Sequence, residues 1–421
     1  MASSSCLLTS LPPGVLQASV LSRLSLSDLG RCACVSRGWQ CAVYAPANWA
    51  RVSLVGIRDA PSALNTVLAR ATDGIEHLDV TDTNIPFDAL REVVRANASS
   101  LSVLLGAVRV GAPPHRWFEL ANAAPRLTLL RVTLAGLALD GRQFLVREVV
   151  QMLRCVPPHG AAHIEVCRLD LNRGEIMQGE EREAFLSAVA KSTTLNELNV
   201  HGMCYCLPSR DSLRSVAACA CLRVFSWTDC PYMLSPRFTA ALLAGGQLES
   251  FTLAATGPTS RFLQFGHAAW RQELKVSLAR CVNLSTLALR NVGLFYRDPD
   301  TLAPSALVDF LRDLVSLPTL TSLDLSLNDC GLRGAGDAHA FTLRGALALL
   351  ARPASRLTDL SLAGCGLNDE AARGLVSALP SSRLQRVDMS GSRFSRKFVE
   401  HEVAGAVAAS VAAQRVLVVT L

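Results

Sequence analysis

The sequence predicts an α/β repeat array, with short parallel strands inside and helices outside, preceded by a small three-helix module. Two observations predict the array. From about Ile75 to Leu421 one apolar spacing returns every 26 to 39 residues. Helical stretches separate the copies, and a period in this range marks a solenoid rather than a single-core domain. A third observation predicts the module: three short helical stripes within the first fifty residues, with little polar surface to cover them.

The N-terminal module opens on Leu11-Pro12-Pro13-Gly14, where proline ends an extended lead and suits a first helical turn. Leu16, Val20 and Leu24 then recur at helical spacing. Ser27 is expected as an N-cap, with Asp28 at the favourable end of the helix dipole and Leu29 and Cys32 inward. Val35, Trp39 and Val43 form a third stripe, and Trp49 with Val52-Ser53-Leu54 closes the segment. About 45 residues bury too little area to stand alone, so this module must lean on a partner or on the next domain.

The repeat unit reads L-x-x-L-x-L-x-x-(N/C)-x-L. It is clean at Leu357, Leu360, Leu362, Cys365 and Leu367, and reads again at Leu320, Leu323, Leu325, Asn328 and, one residue late, Leu332. Other copies start at Ile75, Leu127, Val166, Leu195, Leu222, Leu248, Leu284 and Leu384. A poor copy lies at Leu101 to Ala107, and a last strand is expected within Arg415 to Thr420. That makes about eleven repeats. Alternate apolar residues point inward from a short strand, the Asn or Cys bonds backbone that no strand satisfies, and a helix covers the outside. After Leu367, for example, Asn368 can cap a helix with the stripe Ala371, Leu375 and Leu379, stopped by Pro380. No unit buries its own core, so stacking is obligatory. The expected division is a disordered lead at 1–10, the helical module at 11–54, a connecting segment at 55–74 and the array at 75–421. The longer units predict protruding loops, among them Arg173–Glu183 and Arg333–Phe341.

Composition narrows the function. Mean hydropathy is +0.29, yet the greasiest stretch, Val403–Leu421, is split by Gln414 and Arg415 and makes a poor membrane span. No secretory signal precedes the 14 cysteines, so they are expected as reduced thiols in a cytoplasmic or nuclear chain. The net charge of +6 is modest and lacks a basic run, which argues against nucleic acid as partner. Only Lys191, Lys275 and Lys397 are lysines, a bias that codon usage explains. No Gly-Lys phosphate loop, G-x-S-x-G elbow or second zinc-binding His accompanies His401-Glu402, so no catalytic residue and no cofactor is expected. His201, Cys204, Cys206, Cys219 and Cys221 cluster in sequence. Their C-x-C spacing favours small buried thiols over a metal site.

The N-terminal residues Leu11-Pro12, Val15-Leu16, Val20-Leu21, Leu24, Asp28-Leu29, Val35-Ser36-Arg37-Gly38-Trp39 and Trp49 resemble the F-box in order and spacing. Gly14 stands where that family usually has an acidic residue. The array resembles leucine-rich repeats of the long, helix-bearing and cysteine-containing kinds. Together the two resemblances imply an F-box/leucine-rich-repeat protein, the substrate receptor of an SCF-type ubiquitin ligase. Such a chain docks on a Skp-type adaptor, and through it on a cullin and a RING protein. Carried over by position, Leu11, Pro12, Leu16, Leu24, Val35 and Trp39 would form or support the adaptor surface. For Trp39 and Trp49, core and interface are both open. The runner-up reading is a non-degradative scaffold that holds the adaptor without a cullin. A GTPase-activating repeat protein ranks third, because this chain has no acidic tail.

In such an array, residues flanking the strand leucines line the concave face. Those expected to meet a protein partner are Asp79, Asp170, Asn172, Asn199, His201, Asp324 and Asp388. Asp79, Asp170, Asp324 and Asp388 share one strand position, which predicts an acidic stripe that reads a basic or polar segment. The bland alternative is a solvated strand face.

Overall fold

The computed structural model describes residues 21, 26–43, 48–57, 59–68, 73–108, 114–138, 149–154, 163–172, 179–201, 216, 219–228, 242–243, 245–255, 275–292, 294, 304–328, 337–413 and 415–421. The chain divides into two compact units. One is Met1–Ala138 with Arg142–Asp170, and the other is Leu139–Gly141 with Leu171–Leu421.

The first unit begins with helices α1 (Leu26–Ala33) and α2 (Arg37–Val43). Ser27 falls inside the first turn of α1 rather than before it, and Asp28 pairs with Arg31 one turn on, at 3.3 Å. Ser36 caps α2, its Oγ accepting the Trp39 amide at 3.3 Å. At the far end Asn48 Nδ2 donates to the carbonyls of Ala42 and Val43, at 2.6 and 3.2 Å. The Trp49 indole N–H donates to Val43 at 3.1 Å. These bonds satisfy carbonyls that every helix end leaves open.

Strand β1 (Arg51–Ser53) follows at once and pairs in parallel with β2 (His77–Thr83). Strand pairing therefore starts before Ile75, on residues that also close the N-terminal segment. Helices α3 (Ala60–Leu68) and α4 (Phe87–Ala96) flank β2 in sequence. Then come β3 (Val103–Val108), helix α5 (Pro114–Ala123), β4 (Leu129–Ala138) and β5 (His163–Asn172), in sheet order β1 to β5. β3 is the poor copy of the repeat, and Gly106 is the reason. It stands where other copies place a third large apolar residue, and a Cβ there would lie 2.9 Å from the buried Trp117 ring of α5. Trp117, packed edge-on against Phe87 at 5.5 Å, fills the space that the glycine leaves.

The second unit begins with helix α6 (Gly179–Lys191). Its strands are β6 (Glu197–His201), β7 (Val224–Thr228), β8 (Ser250–Ala254), β9 (Thr286–Arg290), β10 (Ser322–Asp324), β11 (Asp359–Ser361), β12 (Arg386–Asp388) and β13 (Val418–Thr420). All are parallel and in sequence order, with Leu198, Phe225, Phe251, Leu287, Leu323, Leu360, Val387 and Val419 in register. Helices α7 (Pro304–Val315), α8 (Asp337–Leu350), α9 (Asp369–Ala378) and α10 (Ala404–Ala412) alternate with the later strands. α8 starts inside the segment expected to protrude at Arg333–Phe341. Asn368 caps α9 as expected, its Oδ1 accepting the Ala371 amide at 2.9 Å, and a 3-10 turn over Leu379–Ser381 carries Pro380.

Three ladders run across the strands. A hydroxyl ladder sits just before them. In the first unit Ser102 Oγ donates to Glu76 O and Thr128 Oγ1 to Ser102 O, both at 3.0 Å. In the second, Ser285 reaches Glu249, Thr321 reaches Ser285 and Thr358 reaches Thr321, at 3.0 to 3.2 Å. An amide–thiol ladder sits behind the strands. Asn328, fully buried, accepts the Val292 and Leu294 amides at 2.9 and 3.1 Å and donates to Leu289 O at 2.6 Å and Leu325 O at 2.8 Å. One repeat on, Cys365 holds the same place and its thiol donates to Leu325 O at 3.2 Å. Asn or Cys recurs there because both can donate to a carbonyl that lies beyond the strand pairing. The third ladder is conformational. Asn291, Leu327, Gly364 and Gly391 follow successive strands with φ of 51, 60, 66 and 73°, so the chain turns the same way after each.

Candidate functional site

Two surfaces carry the residues expected to meet partners. On the N-terminal helices, Leu11, Pro12, Leu16 and Leu24 lie outside the described residues. Val35 sits in the turn between α1 and α2 and is 68% exposed, while Trp39 is only 8% exposed. The third stripe therefore splits: Trp39 and Val43 face the core, and Val35 faces out. The turn frees Val35 because α2 starts at Arg37, so Val35 is not on the helical face it would otherwise share. Cys34, next to it in sequence, and Cys41 on α2 are also exposed.

The second surface is the open face of the strands, where residues alternate with the buried leucines. In the first unit Asp79 Oδ1 accepts the Thr81 amide at 3.0 Å. In the second, Asp324 Oδ1 accepts the Ser326 amide at 2.9 Å and Asp388 Oδ1 accepts the Ser390 amide at 3.0 Å. These aspartates share a structural role as well as a strand position. Each carboxylate bonds the amide two residues on, within β2 for Asp79 and at the strand end for Asp324 and Asp388, as short acidic side chains do in turns. Asp170 and Asn172 lie on β5, and their side chains are outside the described residues.

Asn199 donates to Glu197 Oε1 at 2.8 Å, and His201 Nδ1 lies 2.8 Å from Thr228 Oγ1 on the next strand. Basic partners stand beside the acids of the later strands. Arg290 Nε donates to Asp324 Oδ2 at 2.5 Å, and Arg386 pairs with Asp359. Burial pushes the Asp359 carboxyl up, but hydrogen bonds from Arg386 and Thr358 outweigh it and hold the group below its usual range. The pairing with Asp359 in turn raises Arg386. Of the expected acidic stripe Asp324 thus belongs to an ion pair, while Asp359, which pairs with Arg386, occupies the other outward position of its strand.

Three apolar side chains on this face are not expected from the repeat spacing. Val103 and Leu105 on β3 and Leu129 on β4 point outward, half-buried, side by side on two strands; at the Leu105 position most strands carry Ser, Thr, Asp or Asn, while the Val103 and Leu129 position is mixed and holds Val224 on β7 and Val418 on β13. Their signal in the sequence is the run Val103-Leu104-Leu105, where apolar residues occupy outward as well as inward positions.

The cysteines of the sequence cluster serve the backbone. Cys219 donates to Ser192 O at 3.5 Å and Cys221 to Thr193 O at 2.9 Å; Cys204 and Cys206 lie outside the described residues. Burial pushes the Cys281 thiol up to about 11, and it donates to Leu243 O at 3.1 Å. Among the described residues no three His, Cys, Asp or Glu side chains converge as a metal site, and no helix is long and apolar enough to cross a membrane.

The F-box-like family model matches residues 8–55. No curated protein matches the chain. Among solved structures, an internalin from Listeria monocytogenes is similar at a TM-score of 0.33 and 12% identity, over 84% of this chain and 76% of that one.

Proposed function

We propose that this chain is the substrate-recognition subunit of an SCF-type ubiquitin ligase. The F-box-like segment docks on a Skp-type adaptor that bridges to a cullin and a RING protein. The strand face captures the protein to be ubiquitinated. The observation that carries this reading is the F-box-like match at residues 8–55, whose last residues include β1 of the repeat sheet. An adaptor-docking module and a partner-binding surface thus sit on one chain, and Val35 is an exposed apolar side chain on the docking module. The subunit supplies no chemistry of its own; transfer of ubiquitin belongs to the enzymes that the RING protein recruits. Its place of action is the cytoplasm or nucleus.

Affinity capture of the tagged chain, beside the double variant Leu11→Ala, Pro12→Ala, tests the reading by mass spectrometry. An adaptor and a cullin that accompany the wild type and leave with the variant are the expected result. An adaptor without a cullin would favour a non-degradative scaffold. Recovery of neither would end the adaptor-docking assignment.

A further inference from the structure

We infer that partner capture in the first unit is anchored by an apolar patch on the open face of β3 and β4, formed by Val103, Leu105 and Leu129. Its occupant is an extended segment of a partner protein with one aliphatic or aromatic side chain between a basic and an acidic residue. This rests on the reading of the strand face as the partner-binding surface and names where and what it binds.

Register places the three side chains together. Val103 pairs with Leu129 on β4, and Leu105 lies two residues along β3 from Val103, on the same side of the sheet. Neighbouring strands lie about 4.8 Å apart and the two-residue step is about 6.6 Å, so the three form one contiguous surface. The charged flanks are also fixed by register. Leu105 lies between Asp79 on β2 and Arg131 on β4, and Val103 has His77 beside it on β2. Asp79 and Arg131 are thus about 10 Å apart with the apolar patch between them.

Folding does not require these side chains. At the same two positions the second unit carries Ser226, Ser250, Thr252, Thr286 and Ser322, with single apolar residues at Val224, Ala288 and Val418 but no apolar pair on adjacent strands at the first position. A strand of this array forms as well with a hydroxyl outward, whereas aliphatic residues half-exposed beside charges resemble the apolar centre and polar rim of a binding patch. The flanks set the orientation of the occupant. A base belongs toward Asp79 and an acid toward Arg131, and a segment crossing the strands at about 3.3 Å per residue reaches both within about two residues of its anchor.

The test selects short random peptides on the immobilised full-length chain. The expected winners share an aliphatic or aromatic residue with a base on one side and an acid on the other. A synthetic winner loses roughly tenfold or more in affinity for Leu105→Thr and for Leu129→Thr, the loss of one anchor contact. Arg131→Glu shifts the preferred acid toward a base. Threonine already stands at such positions in Thr252 and Thr286, and Leu129→Thr provides a second variant should Leu105→Thr fold poorly. Winners indifferent to both threonine variants would overturn the inference, as would no winner at all. Self-association of the chain abolished by Leu105→Thr would also overturn it, since a second copy would then be the occupant. Adaptor binding measured on the same preparations is expected to be unchanged by Leu105→Thr, and its absence from every variant would count against the ligase reading instead.

Discussion

Gly374 and Gly345 lie on adjacent helices, and the same substitution at each is expected to act with opposite sign. A Cβ at Gly374 in α9 would fall 2.2 Å from the Arg344 carbonyl oxygen of α8 and 2.9 Å from its carbon. A relaxed C···O contact is about 3.3 Å, so the two helices would have to part by roughly 1 Å. Both atoms met are backbone, and no rotamer change relieves them. Overpacking of this kind costs about 1–3 kcal/mol, while Gly→Ala in a helix returns only about 0.5–1 kcal/mol. Gly374→Ala is therefore expected to destabilise despite the better helix former. At Gly345, exposed on α8, a Cβ meets nothing within 4 Å, so Gly345→Ala keeps the whole propensity gain. The assay is urea unfolding followed by far-ultraviolet circular dichroism. Hydrogen exchange of the α8 and α9 amides would run beside it, because a repeat array need not unfold in one step. Gly374→Ala should lower the midpoint and Gly345→Ala raise it. A midpoint raised equally by both would refute the close approach of α8 and α9.

Asn328→Ala would strand the Val292 and Leu294 amides and is expected to cost about 2–5 kcal/mol by denaturant unfolding. Asn328→Cys should cost less, because Cys365 already bonds the equivalent carbonyl from that place. A maleimide at neutral pH should label Cys34 and Cys41 quickly. Cys281, buried with its thiol at about 11, should be labelled only on unfolding, as mass spectrometry of digests would show. Asp359 has a lowered folded-state pKa, so its contribution to stability is complete above the ordinary carboxylate range and is lost as pH falls through the folded value. Asp359→Asn should accordingly flatten the melting temperature against pH in that acidic window and lower it modestly near neutrality, where the wild-type contribution is complete. Salt should weaken the wild-type effect, since the pair with Arg386 is solvent-facing.

Most strands were legible because alternation within each repeat and recurrence between repeats point to the same residues. β1 was not, since Arg51–Ser53 is three residues long and no L-x-x-L precedes it. β3 was faint because the residue that fills its core, Trp117, arrives from the following helix and leaves Gly106 in the strand. The strand-face positions were legible from spacing alone, but their chemistry was not. Arg290 and Asp324 are 34 residues apart, and Arg386 and Asp359 are 27 apart. Only the register of neighbouring repeats makes them partners and gives Asp324, one member of the expected acidic stripe, a basic neighbour. Trp39 was undecidable for a different reason: helical spacing shows that a side chain shares a face, not what covers that face.

The hydroxyl ladder from Glu249 through Ser285 and Thr321 to Thr358 has a consequence for how such a chain can change. Each rung is tied only to the one before it, by an identical bond from an identical place. Excising or duplicating the span from one rung to the next would therefore leave a donor facing a carbonyl at the new junction, with nothing further away to be re-fitted. A change of a few residues inside a span would instead offset the rung from its neighbour. The tolerated quantum of length variation is one whole repeat, and the reach of the strand face can grow or shrink by that step without redesign of the rest.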